Sequence, residues 1–127
     1  MTEIMNVLRL LGVGRNYRGF IQVTTAIMLV LENEERLTSI TKDVYMETAQ
    51  RTGCSWMSVE RNIRTVIRRV WAVNPERLRM MAGYPLSGQP TVSEFIEIVS
   101  VYIQKKRDFD GRNKLCASDA SACEVHG

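Results

Sequence analysis

Histidine is almost missing from this chain: His126, beside the C-terminus, is the single one. That leaves no Ser/His/Asp or Cys/His set for nucleophilic catalysis. The glycine-bearing stretch "GVGRNYRG" follows no strand and leads into no Gly-Lys-Ser/Thr, so it is not a phosphate-cradling loop. Cys54 stands at the start of a helix without a second catalytic partner and reads as a packed turn residue. No catalytic residue, no enzymatic activity and no cofactor are expected.

Cysteine is also scarce. Cys54, Cys116 and Cys123 are an odd number without a dense framework, which predicts reduced thiols in a reducing compartment. Cys116, Cys123 and His126 match no common zinc spacing and sit in a small, polar tail, so no metal is expected. Long apolar runs are lacking too. The longest, "FIQVTTAIMLVL", contains Gln22, Thr24 and Thr25 and is too short to cross a bilayer. The N-terminus has neither a basic start nor a small-residue cleavage site, so no membrane association and a cytoplasmic location are expected. The net charge of +3 is modest, and only a local concentration of positive charge could single out an acidic partner.

What is present is the composition of a folded domain, 45% hydrophobic and 24% charged over 127 residues, enough for one core. Apolar positions recur at helical spacing without sustained alternation, predicting an all-α domain of about six helices over residues 1–107. The first helix runs from Thr2, its cap, to Leu11 and stops at Gly12 and Gly14. A second, from Tyr17 to Asn33, carries Phe20, Ile21, Ile27 and Val30 and reads as the central core helix. "ENEERLTSIT" reads as a polar connection. Thr41 caps a third helix to Arg51, ended by Gly53, and Ser55 caps a fourth. Asn74 and Pro75 end that helix and open a short one, capped by Asn74; "AGYPLSGQP" is a loop. Thr91 and Glu94 form a capping box for the last helix, which carries Phe95, Ile98, Val99, Tyr102 and Ile103. From Asp108 periodicity vanishes, predicting a disordered tail over 108–127.

The third and fourth helices, with a tight link at Gly53, form a helix-turn-helix at about 41–72. At about 100° per residue, Arg61, Arg64, Thr65 and Arg68 project together, while Val59, Ile63, Val66 and Val70 fall on the opposite side. The N-terminal turns of such a helix enter the major groove of double-stranded DNA. There arginine donates two hydrogen bonds to guanine and glutamate accepts from cytosine, which makes Glu60, Arg61 and Arg64 the candidate base readers. Arg68 and Arg69 are better placed for phosphates, and arginine at every basic site suits bidentate recognition. The pattern alone also fits a solvated face.

"SVERNIRTVIRRVW" resembles the recognition-helix region of the C-terminal effector domain of the sporulation response regulators, the Spo-zero-A type. "SITKDVYMETAQ", Gly83 with Tyr84, "PTVSEFI" and "LGVGRNYRGF" keep that family's order and spacing, so the similarity covers roughly residues 4–105. The resemblance implies a six-helix DNA-binding domain that works as a tandem pair on repeated sites and contacts RNA polymerase to alter transcription. It implies base contacts by Glu60, Arg61 and Arg64, with Ser55 and Ser58 on the phosphate side; by their position on the helix, and not by the resemblance, Thr65, Arg68 and Arg69 are further backbone candidates. Three features depart from the family: Arg68 and Arg69 replace acidic and apolar positions, Gln89 stands where a basic residue is usual, and the receiver domain that normally comes first is absent. Either a stand-alone regulator or an excised piece accounts for that absence, and Met1 with a complete first helix favours the former. The alternative to a DNA reader is a protein-interaction module that keeps the fold and modulates a related regulator or the polymerase.

Trp56 and Trp71 flank the fourth helix and, like Tyr45, Tyr84 and Phe95, are expected in packing roles. The seven methionines suggest an adaptable core.

Overall fold

A computed structural model describes residues 2–15 and 19–118. Six α-helices make up the fold, with no strand among the described residues: α1 (Thr2–Leu10), α2 (Phe20–Glu32), α3 (Glu47–Thr52), α4 (Trp56–Val73), α5 (Pro75–Ala82) and α6 (Val92–Ser118). The all-α expectation holds. Helix α2 is the central element and packs against α1, α3, α4 and α6. Its Phe20, Val23, Ala26, Ile27 and Val30 are buried, but Ile21, expected in the core, points outward and is about half exposed.

The chain breaks where local chemistry demands it. After α1, the amide of Val13 donates to the carbonyl of Leu8 and that of Gly12 to Arg9, with Gly12 at φ 96°. This is a helix-ending turn that only glycine enters without strain, and the buried Leu8 and Val13 accompany it. Thr2, the expected cap, is the first helical residue itself, and Tyr17, the expected start of the second helix, lies outside the described residues.

Two corrections concern the segment between α2 and α4. The polar connection is helical: residues Glu34–Ser39 form a 3-10 helix, with the Asn33 side chain accepting from the Glu35 amide. Residues Ile40–Met46 are then wound as a π-helix that runs straight into α3, so Thr41 lies inside the helical segment rather than capping it. More residues per turn bring sequence neighbours closer to one face, which suits the burial of both Val44 and Tyr45.

Asn74 also differs from expectation. Its side chain makes no cap to α5; its Nδ2 donates instead to the carbonyl of Leu11, 3.0 Å away, and ties the end of α4 to the turn after α1. The Thr91–Glu94 capping box of α6 is as predicted: the Glu94 amide donates to Thr91 Oγ1 at 3.2 Å, and the Thr91 amide to Glu94 Oε1 at 3.0 Å. The side chain of Arg107 on α6 donates to Glu3 in the first turn of α1, and that guanidinium holds the Glu3 carboxyl below its usual range. Helix α6 continues to Ser118, past the Asp108 boundary where loss of periodicity predicted disorder. Apolar periodicity reports packing and not winding: Gly111 is the single helix-weakening glycine in that stretch and proline is absent from it. The rest of the predicted tail, 119–127, with Cys123 and His126, lies outside the described residues.

Candidate nucleic-acid interface

The segment 40–52, a turn of Gly53, Cys54 and Ser55, and α4 form the helix-turn-helix. Gly53 sits at φ 71° and ψ 31°, and nothing lies within 4 Å of where a β-carbon would be, so conformation rather than space requires glycine there. The amides of Gly53 and Cys54 both donate to the carbonyl of Ala49, closing α3. Cys54 is the packed turn residue that the sequence suggested: it lies half-buried against the core, and Gln22 Nε2 of α2 donates to its Sγ at 3.2 Å.

Ser55 then caps α4, accepting from the Ser58 amide at 3.2 Å, while its own hydroxyl donates to Ser58 Oγ at 2.9 Å. Val59, Ile63, Val66, Ile67 and Val70 are buried beneath the helix. Arg61, Arg64, Thr65, Arg68 and Arg69 are exposed, and Glu60 is half-buried. The predicted division into an apolar stripe and an arginine-bearing stripe is therefore the division present in the fold. Thr65 Oγ1 donates back to the carbonyl of Arg61, which fixes that hydroxyl against the helix.

Three features of the site were not read from the sequence. Glu60 and Arg64 form an ion pair, 3.2 Å between Oε2 and Nη2, one turn apart. The i,i+4 spacing of glutamate before arginine is the signal that predicts it. Such an exposed pair contributes at most about 1 kcal/mol, so it orients Arg64 more than it stabilises the helix. Second, Tyr45 of the π-helical segment is buried near this pair; burial first, and then the Glu60 charge, push its hydroxyl up to about 12. It is a neutral floor under the start of α4. Third, Gly19 meets the middle of α4 so closely that a β-carbon would stand 2.7 Å from the Asn62 carbonyl oxygen. No local sequence pattern marks that approach.

Beside the arginine stripe lies a depression of about 250 Å³, lined by Arg64, Ile67 and Arg68 of α4 and by residues 89–92 at the start of α6. The fold thus places Gln89 across from Arg68, two positions singled out separately in the sequence. Trp56 and Trp71 are partly buried against the core, and Arg79 lies over the Trp71 ring at 4.8 Å. Tyr84 departs from its packing expectation and is exposed, as are Met46, Met57 and Met80. Among the described residues no group of three His, Cys, Asp or Glu could hold a metal ion, and no helix is long and apolar enough to cross a membrane.

A helix-turn-helix inside a six-helix domain, with one helix carrying arginines outward and valines inward, is an arrangement that DNA-binding domains use to present a recognition helix. Residues 4–103 match the family described as sporulation initiation factor Spo0A C terminal, and the chain belongs to that family. It is a DNA-binding domain of bacterial, sporulation-related transcription regulation, a family of DNA binders and not of enzymes.

Proposed function

We propose that α4 enters the major groove and that Glu60, Arg61 and Arg64 read base edges in a sequence-specific way. The carrying observation is the exposed stripe of Arg61, Arg64, Thr65 and Arg68 on a helix whose other stripe is locked in the core. Arginine forks pair with guanine O6 and N7, and a glutamate accepts from cytosine N4. The Glu60–Arg64 ion pair keeps these two proposed readers side by side on successive turns of α4.

Phosphate contacts fall to Ser55, Ser58, Thr65, Arg68 and Arg69 around this stripe. The depression between α4 and the start of α6 has Arg68 on one wall and Gln89 on the other, so positive charge for a backbone contact comes from the helix side. Family membership extends the proposal to pairing on tandem sites, contact with RNA polymerase and work in the cytoplasm. A single module of this kind buries roughly 600–1,000 Å² on DNA, so a second copy on a neighbouring site would add affinity.

Selection from a random double-stranded oligonucleotide pool tests the reading. The expected result is enrichment of a guanine-containing motif, with affinity that falls steeply as salt rises. Failure to enrich any motif would overturn base reading and leave the protein-interaction alternative.

A further inference from the structure

The outward stripe of α4 does not begin with Arg61. One turn earlier stands Met57, and Met57, Arg61, Arg64 and Arg68 follow one another at i, i+4, i+7 and i+11, the spacing of a single helical stripe. Met57 is 56% exposed, whereas Trp56 beside it is half-buried against the core and Val59 is fully buried. The other side chains of the stripe, as far as Arg68, are the three arginines and Thr65. An apolar group thus leads a polar surface.

Single exposed apolar side chains are common on proteins, and exposure by itself assigns nothing. Position does. The first turns of a recognition helix lie deepest in the major groove, so in a helix docked that way the head of the stripe meets base edges rather than phosphates. A thioether has no hydrogen to donate and accepts only weakly, so it pairs poorly with the amino groups and oxygens of guanine, cytosine and adenine. Thymine presents a methyl group in that groove, and apolar side chains meet it by contact. The turn that carries Met57 is also fixed: Ser55 Oγ donates to Ser58 Oγ at 2.9 Å and accepts from the Ser58 amide at 3.2 Å. Its unbranched side chain can settle against a flat base edge without a change in that backbone.

We infer that Met57 is a specificity-determining residue that packs against the C5 methyl group of a thymine in the bound site. The inference rests on the major-groove reading of α4 proposed above. Four residues of helix rise about 6 Å and successive base pairs about 3.4 Å, so the thymine lies within about two base pairs of the guanine read by Arg61. Burial of one methyl group raises affinity about fourfold. That is less than the effect of an arginine fork on guanine, so Met57 tunes a site that the arginines define.

The test takes the motif selected from the random pool and replaces each thymine in turn by deoxyuridine, which keeps base pairing and removes only the methyl group. At one position within about two base pairs of the guanine that Arg61→Ala relaxes, wild-type affinity should fall about fourfold. Met57→Ser should bind the thymine and deoxyuridine sites alike, with an unchanged melting temperature and the guanine preference kept. Met57→Leu, which retains an apolar chain, should retain the thymine preference. The absence of a methyl-dependent position near that guanine, or a preference that survives Met57→Ser, overturns the inference while base reading by Arg61 stands. A Met57→Ser protein that melts earlier and loses affinity equally for all sequences overturns it too, by assigning the side chain to packing. A pool from which no motif emerges overturns both readings.

Discussion

Helix α4 turns Val59, Ile63, Val66 and Val70 into the core and Arg61, Arg64, Thr65 and Arg68 away from it, and the two stripes differ in what a substitution removes. An inward side chain is held by many apolar contacts, so its loss falls on stability. An outward arginine touches little of its own protein, so its loss falls on whatever it binds. One helix of 18 residues therefore separates folding from recognition by angle alone.

The largest effect should come from the inward stripe. Ile63 is fully buried, and Ile63→Ala should cost about 2–5 kcal/mol in denaturant unfolding. A loss under about 1 kcal/mol would mean that the stripe is not core.

Gly19→Ala sharpens the same contrast at the point where α2 touches the backbone of α4. The added methyl meets the Asn62 carbonyl and Val66, so a destabilisation of about 1–3 kcal/mol is expected, measured as above. Stability unchanged within error would show that α2 can withdraw from α4.

On the outward stripe the signs exchange. Arg61→Ala and Arg64→Ala should each cost about 1–3 kcal/mol of binding to the preferred site and relax one base position, with unfolding changed by no more than about 0.5 kcal/mol. Arg69→Ala should weaken all sequences alike. Equal, sequence-independent losses for all three would break the assignment of base reading to Arg61 and Arg64. Ser55→Ala lies between the stripes: removal of the cap should cost about 0.5–2 kcal/mol of stability.

The smallest effect at ordinary pH concerns Tyr45. Its hydroxyl is neutral in the fold up to about 12, whereas in the unfolded chain it ionises near 10. Between those values the unfolded state binds fewer protons than the native one, so stability is intact below 10 and falls as pH rises through this window. Phenolate absorbance should include a titration near pH 12 that Tyr45→Phe abolishes, and the same substitution should remove this part of the alkaline loss.

Much of the site was legible because its determinants are local. The stripe of Arg61, Arg64 and Arg68 follows from helical periodicity, the cap at Ser55 and the capping box at Thr91 from residues three apart, and the turn at Gly53 from a backbone conformation that glycine enters freely. The π-winding of 40–46 was not legible, because it answers to burial of Val44 and Tyr45 by partners distant in sequence. The same holds for Ile21, Tyr84 and Met80, apolar residues whose exposure depends on which neighbours arrive.

By itself, then, the sequence determined the two faces of α4, the caps at Ser55 and Thr91 and the break at Gly53, since each is set by groups within about one turn of one another. Tertiary structure decided the rest: the approach of Gly19 to Asn62, the bond from Asn74 to Leu11 and the placing of Arg68 and Gln89 around one depression. These bring together residues far apart along the chain, and their placement is fixed by how the helices pack around α2, which no local pattern encodes.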